Sequence, residues 1–326
     1  MRQLVVDDRW IGEHGIGRFS KEVLLRLQMP WRPIGGPKSP TAPVDVLNTC
    51  RLKLTHNDVV FSPGFNAGIT RARQILVIHD LIHLQVDAER TFLKTLFYGT
   101  IVRRAIRRAG VVMTVSRTSA EAIAGWVGTA HVDIEVVGNG CSSSFVSAGD
   151  RTGFSFPTFL YVGNFKPHKN VDVVLDALLL RPDYRLLVVT GDVERARTRV
   201  AEKGLTRQVD IRSDVTDEEL AALYRGVAGS VQPSILEGFG LPALESLSCG
   251  TPVAYWAGCE SVAEICAGTG VAVIASGVPQ EWAAALDSLK EISDQGPVVM
   301  PSAWRAEYDW DTVAHKVTQV LSRVGQ

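Results

Sequence analysis

The sequence predicts an α/β protein with two doubly wound domains, each built on a parallel sheet. Three observations lead there. At 326 residues the chain exceeds one comfortable core, so two domains are expected. Short Val/Ile/Leu runs alternate with helical stretches along its whole length, as in strands buried on both faces of a parallel sheet. The alternation also occurs twice, on either side of SSSFVSAGDRTGFSFP at 142–157, a stretch rich in small and turn-forming residues.

In the first half, strands are expected at QLVVD (3–7), DVVFS (58–62), QILVIHD (74–80), GVVMTVS (110–116) and VDIEVVG (132–138). Between them, Ile16, Phe19, Val23 and Leu27 share a helical face, and residues 90–109 form a longer amphipathic run. In the second half, FPTFLYVGN, YRLLVVTGD, QVDIRSD, GSVQPS, TPVAYW and GVAVIA read as strands. Helices are expected near 171–180, 194–203, 217–226, 241–249 and 281–292. Domains are thus placed at 1–150 and 151–305, with a closing helix over 306–326. Each domain is Rossmann-like, and such sheets bind ligands beyond the carboxyl ends of their strands.

Composition narrows the function. A hydrophobic share of 46% with 21% charged residues is ordinary globular usage, and a net charge of −1 gives no sign of nucleic-acid binding. The charge is unevenly spread. Residues 1–150 hold 18 Lys and Arg against 13 Asp and Glu, a balance of +5, leaving 16 against 22, or −6, in the rest. Cys50, Cys141, Cys249, Cys259 and Cys266 are odd in number and free of any C-x-x-C, which reads as reduced thiols in a cytoplasmic protein. MRQLVVDDRW is not a signal peptide, and no apolar run approaches the ~18 residues of a membrane span. A soluble or peripheral cytoplasmic protein is expected.

SILEGFGLPALESLSCG, residues 234–250, sets Glu237 and Glu245 on either side of Gly238-Phe239-Gly240 and Leu241-Pro242. A strand leads in and a helix starts at Leu241 or Pro242, where a proline without its N–H costs nothing. The exposed N–H groups and dipole of such a start favour a phosphate, and the glycines admit it to the backbone. Glu245, a turn into the helix, suits two neighbouring hydroxyls, and Glu237 suits a second polyol. A nucleotide sugar has that shape: phosphates between a ribose and a hexose.

EGFGLPALESLSCGTPV resembles the E-x7-E signature of the retaining, GT-B-fold glycosyltransferases of family 4, the group 1 glycosyltransferases. Further segments extend the resemblance along nearly the whole chain. LYVGNFKPHKN (160–170) is a strand followed by a basic loop, and two ammoniums there would hold a diphosphate as negative charge grows on it. Lys169 matches the family's lysine, beside Gly163. Asn164 stands where many members have arginine, so Lys166 is the second cation. GEHGIGRFSKEV (12–23) is similar to the family's N-terminal glycine loop; Gly15 and Gly17 would face the diphosphate and Arg18 the acceptor. Gly15-x-Gly17 alone is a weak signal. His79, in ILVIHDLIH, matches the histidine that reaches the transferred sugar, while Asp80 reads as a cap. VVGNGC (136–141) is similar to the family's IPNG segment, with Gly138 for proline and Asn139 a sugar contact. Ser116 is expected to cap the helix after its strand. YDWDTVAHKVTQVL (308–321) resembles the closing helix that crosses back to the first domain in this fold, whose two domains face each other across a cleft.

The resemblance implies a retaining, metal-independent hexosyltransferase, with His79, Lys169 and Glu237 catalytic. Gly15, Gly17, Gly163, Lys166, Lys169, Glu237, Gly238, Phe239, Gly240, Leu241 and Glu245 would bind the donor, and Arg18 and Asn139 the acceptor or sugar. No cofactor is implied beyond the donor substrate, with GDP-mannose first and UDP- or dTDP-sugars next; the acceptor would be a glycan or a lipid-linked molecule of bacterial polysaccharide or lipopolysaccharide synthesis. Asp309-Trp310-Asp311 is the only Asp-x-Asp, and its place at a helix start reads as capping. An epimerase or nucleotide-sugar hydrolase on the same fold, and a binding subunit without turnover, stand as alternatives. In the 90–109 helix, Lys94, Arg103, Arg104, Arg107 and Arg108 admit two readings. They are a patch for anionic lipid, or cations gathered at a helix C-terminus.

Overall fold

The structure, a computed structural model, describes residues 3–12, 15–36, 40, 43–86, 91–128 and 131–324. The chain divides into two compact units, residues 1–140 with 306–326 and residues 141–305. In the first, β1 (Leu4–Val6), β2 (Arg32–Pro33), β3 (Val59–Ser62) and β4 (Arg73–Leu76) form a parallel sheet in the order β2-β1-β3-β4. A bridge from Val77 to Met113 leads on to the parallel pair β5 (Val111–Thr114) and β6 (Asp133–Val136). β3 and β5 are buried throughout, which is why these runs are apolar rather than alternating.

The helices of this unit are α1 (Gly15–Arg26), α2 (Ile82–Gln85), α3 (Phe92–Phe97), α4 (Arg103–Ala109) and α5 (Arg117–Val127). Ser116 caps α5 by accepting the Ser119 N–H, and Gly128 ends it in the left-handed region. Asp80 accepts the Ile82 N–H at 3.0 Å. The expected helix over 90–109 runs from Phe92 to Ala109 with one irregular turn inside it. Residue 90 lies outside the described residues, and a π-helical turn, Tyr98–Val102, separates α3 from α4. The extra residue rotates the inward face, so Tyr98, Val102, Ala105 and Ile106 enter the core while Leu93 is 70% exposed.

In the second unit, β7 (Thr158–Val162), β8 (Arg185–Val189), β9 (Val209–Arg212), β10 (Gly229–Gln232), β11 (Val253–Trp256) and β12 (Val271–Val273) form one parallel sheet. Its order, β9-β8-β7-β10-β11-β12, is the doubly wound Rossmann order, which reverses direction between its first and fourth strands. α6 (Val171–Leu179), α7 (Val193–Glu202), α8 (Asp217–Gly226), α9 (Leu241–Ser248), α10 (Glu260–Cys266) and α11 (Pro279–Asp294) follow the strands. Val174, Leu178, Val200 and Leu286 pack with one face of the sheet, and Leu220 and Tyr224 with the other. α8 starts with a full capping box, Thr216 and Glu219. The division between units runs through α12 (Ser302–Glu307).

The last helix, α13 (Trp310–Val324), belongs to the first unit and lies on α1. Arg26 Nε meets Asp311 Oδ1 at 2.8 Å, and Trp310 meets Phe19 with ring centroids 6.1 Å apart. Asp309 Oδ1 accepts the Asp311 N–H at 2.7 Å, so this pair of aspartates caps and anchors the helix. β2, α10 and α12 were not foreseen from the sequence; each is short, and β2 contains a proline.

Candidate functional site

In the second unit, β7 and β10 lie side by side, and the chain leaves them toward β8 and β11 in opposite directions. The loops after these two strands therefore face each other at the switch point of the sheet, where doubly wound folds bind ligands. The first loop carries Gly163, Lys166 and Lys169. The second carries Glu237 and Gly238-Phe239-Gly240.

The two loops are tied together. Ile235 N–H donates to the His168 carbonyl at 2.7 Å. Lys169 Nζ meets Glu237 Oε1 at 2.6 Å, with 19% and 12% of the side chains exposed. Ser234 Oγ donates to the same carboxylate oxygen at 2.6 Å, and Ser261 Oγ to the Glu237 carbonyl at 2.9 Å. A lysine held this way is a point charge of fixed position, able to follow a growing negative charge without reorganising first. A 3-10 turn, Pro167–Lys169, with Asn170 in the left-handed region, sets its height.

Gly240 stands at the N-cap of α9 with φ +110°, and no side chain caps that helix. Only glycine takes this backbone comfortably, and an added Cβ would also lie 3.0 Å from Val262 Cγ2. Phe239 is buried beside it. Leu241 opens the helix and Pro242 follows, so the start presents backbone N–H groups and the positive end of the dipole.

Glu245 is set deeper. It is the fifth residue of α9, only 5% exposed, and its Oε2 accepts the Tyr224 hydroxyl at 3.3 Å. Burial and then the Glu245 charge push the Tyr224 phenol up, which keeps it a neutral donor. Lys166 lines a groove of about 350 Å³ together with Arg195, Arg199 and Asp172, on the side of α6 and α7, while Lys169 pairs with Glu237. Gly163 leaves β7 with its N–H on the Val189 carbonyl at 3.1 Å.

In the first unit, Gly15 opens α1, and residues 13–14 of the glycine loop lie outside the described residues. Gly17 is pressed on the loop backbone, where a Cβ would lie 2.5 Å from the Gly12 carbonyl oxygen. Arg18 is half-buried on the first turn. His79 Nε2 lies 2.9 Å from the Pro63 carbonyl oxygen. A carbonyl only accepts, so this nitrogen carries the proton, and a neutral ring then offers Nδ1 as acceptor. The Phe19 ring braces His79 edge-on, with centroids 4.9 Å apart. Asn139 is buried, its Oδ1 taking the Gly140 N–H at 3.0 Å.

A buried ionic network beside the glycine loop went unread in the sequence. Arg9 Nε and Nη2 each reach an Asp7 oxygen at 2.7 Å, and Nη1 and Nη2 reach Asp45 at 2.5 and 2.9 Å. Asn66 Nδ2 donates to Asp45 Oδ2 at 2.7 Å. Burial pulls the Arg9 pKa down, but the bonds to Asp7 and Asp45 more than offset it, and the guanidinium stays charged. An aspartate at the end of the first strand was the available signal; Asp45, on the 3-10 stretch Pro43–Leu52, and Asn66 come from distant parts of the chain. Among the described residues no cluster of His, Cys, Asp and Glu is arranged to hold a metal.

Comparison with known proteins follows this geometry. Residues 154–296 match the family described as glycosyl transferases group 1. The O-antigen chain mannosyltransferase RfbU of Salmonella typhimurium is 28% identical over 185 residues, 55% of this chain and 51% of that protein. The D-inositol 3-phosphate glycosyltransferase of Thermobispora bispora is 31% identical over 180 residues, 50% of this chain and 42% of that one. The chain thus spans about half the length of the curated relatives it matches. Among solved structures, Anabaena HepE in complex with UDP-glucose superposes with a TM-score of 0.72 at 17% identity, covering 99% of this chain and 100% of that one. The match to the group 1 glycosyltransferases thus covers residues 154–296, which carry the switch-point loops, and the chain has the GT-B fold over its length.

Proposed function

We propose that the chain is a retaining hexosyltransferase that moves a hexose from a nucleotide sugar to a glycan or lipid-linked acceptor in bacterial polysaccharide or lipopolysaccharide assembly. The observation that carries this is the Lys169–Glu237 pair at 2.6 Å, set at the sheet's switch point beside the uncapped start of α9. The diphosphate would lie on the 238–241 amides and Lys169, with Glu237 turned to the hexose and Glu245 to the ribose. As the C1–O bond to phosphate breaks, the acceptor oxygen bonds to C1 from the same face, and its proton passes to the departing phosphate oxygen. Electrostatic stabilisation of that oxygen is then the chief demand on the protein.

The second unit takes the nucleotide sugar and the first takes the acceptor; of the first unit's residues, Gly15 and Gly17 are assigned to the donor diphosphate, Arg18 and Asn139 to the acceptor or sugar, and His79 to the transferred sugar. The RfbU relative is an O-antigen mannosyltransferase, which supports mannose as the sugar and GDP-mannose as the first donor to try. The HepE neighbour holds UDP-glucose, so uridine donors form the comparison arm.

Thermal unfolding with GDP, UDP, dTDP and ADP tests the site. A nucleotide at 100 times its Kd adds about 2.7 kcal/mol of stability, a shift of several degrees. One nucleotide is expected to shift the protein, and Glu245→Ala to abolish the shift. No shift with any nucleotide, nor with GDP-mannose or UDP-glucose, would reject the assignment. Transfer from the matching nucleotide sugar, lost in Lys169→Ala, separates an enzyme from a binding subunit.

A further inference from the structure

The segment 91–110, TFLKTLFYGTIVRRAIRRAG, contains five cations and no acid, yet its charges and its apolar residues serve different ends. Arg103 and Arg107 are engaged structurally. Both donate to the Val127 carbonyl, at 3.0 and 2.7 Å, and so satisfy the C-terminus of α5. The inward face, Tyr98, Val102, Ala105 and Ile106, fills the core with Ile78 and Ile123. That leaves Phe92 80% exposed, Leu93 70% and Leu96 49%. These positions share one side of a single turn and a half of α3, and the core lies on the other side.

Exposed apolar residues occur singly on most surfaces, whereas three large ones together mark a contact. Their surroundings are basic. Lys94 and Arg104 are exposed on the same segment. Arg108 donates to the Thr70 and Arg71 carbonyls at 3.0 and 2.5 Å, which brings exposed Arg71 and the 52%-exposed Ile69 onto this surface. An apolar wedge on a segment that carries five cations and no acid over 91–110 fits a surface whose outer layer is anionic and whose next layer is hydrocarbon.

We propose that this surface docks on an anionic lipid bilayer, with Phe92, Leu93 and Leu96 entering the acyl boundary and Lys94, Arg104, Arg71 and Arg108 meeting the headgroups. Insertion of a few such side chains plus charge attraction suffices for reversible, salt-sensitive binding. The surface lies in the first unit, outside the donor residues, and the proposal stands independently of the donor assignment.

The test is co-sedimentation of the full chain with vesicles of equal parts phosphatidylglycerol and phosphatidylcholine, and with pure phosphatidylcholine. The wild type is expected to pellet with the anionic vesicles, much less with the neutral ones, and less in high salt. Phe92→Ser/Leu93→Ser/Leu96→Ser should lower the partition by at least about tenfold, and Lys94→Glu/Arg104→Glu should lower it on anionic vesicles alone. All five side chains are exposed, so both variants should keep the wild-type melting temperature and its nucleotide-induced shift. A wild type that stays in the supernatant, or a triple variant that pellets unchanged, overturns the proposal. So does a wild-type dimer by light scattering that the triple variant breaks, which would assign the wedge to a second copy of the chain.

Discussion

The Tyr224 hydroxyl, fully buried on α8, donates to Glu245 Oε2 at 3.3 Å. Tyr224 is itself fixed by Thr251, whose Oγ1 donates to its carbonyl at 2.6 Å. The carboxylate assigned to the ribose is thus held from behind by a fully buried tyrosine. Tyr224→Phe should cost about 1.5–3 kcal/mol in denaturant unfolding, the range for a hydrogen bond to a charged group. It should also weaken nucleotide binding. In a Glu245→Gln background the same change should cost less, and a double-mutant cycle measures the difference. Additive costs would mean that the two side chains do not cooperate.

Lys169 and Glu237 hold each other, so their single variants should fail differently. Lys169→Ala leaves a largely buried carboxylate that still accepts from Ser234 and removes a cation from the phosphate region. A loss of about 10²- to 10³-fold in kcat is expected, the size seen on removing one transition-state donor. Glu237→Gln should keep nucleoside diphosphate binding while slowing transfer, because the diphosphate still meets Lys169. Titration with the free diphosphate against steady-state transfer separates these outcomes.

Phe19 links the last helix to His79, with Trp310 at 6.1 Å on one side and the imidazole at 4.9 Å on the other. Trp310→Ala opens a cavity in this stack. It should destabilise the chain by about 3–5 kcal/mol, as large aromatic truncations do. Trp310→Phe refills most of the volume and should recover most of the loss. A variant at Trp310 that melts like the wild type would show that α13 adds little to the first unit.

Burial raises the thiol pKa of Cys249 to about 12 and of Cys259 to about 11. In the unfolded chain both return to about 8.5. Above that value the unfolded state releases protons that the folded state keeps, so stability should fall as pH rises from about 8.5 toward 11 and 12. Cys249→Ser/Cys259→Ser should flatten that limb of the stability profile. With a thiol reagent at neutral pH, exposed Cys50 should react at once and these two only as the protein unfolds.

Much of the architecture was legible. The buried runs such as VVMT and TFLYV became strands because continuous β-branched and aromatic residues suit sheets covered on both faces. The helix at 241 was announced by its glycine N-cap and early proline. The basic helix was the weaker part. Its amphipathic pattern did not say which apolar residues turn inward. With the π turn at Tyr98–Val102 in place, Tyr98, Val102, Ala105 and Ile106 are buried while Leu93 faces solvent. Sequence spacing assumes a constant pitch, and one extra residue in a turn defeats it.

By itself, the sequence determined the chemistry on offer: two glutamates about a glycine loop, a lysine after a strand, a glycine-rich first turn and a strand-end histidine. Local patterning suffices for that, since caps, turns and buried strands depend on near neighbours. Which groups meet was decided by the tertiary structure. Lys169 reaches Glu237 across 68 positions because the sheet sets β7 beside β10. Lys166, three residues earlier, lines a separate groove with Arg195 and Arg199. Arg9, Asp45 and Asn66 converge from separate segments, and Tyr224 finds Glu245 only once α8 and α9 share a face of the sheet. These contacts follow from strand order and side-chain direction in three dimensions, and no spacing along the chain encodes either.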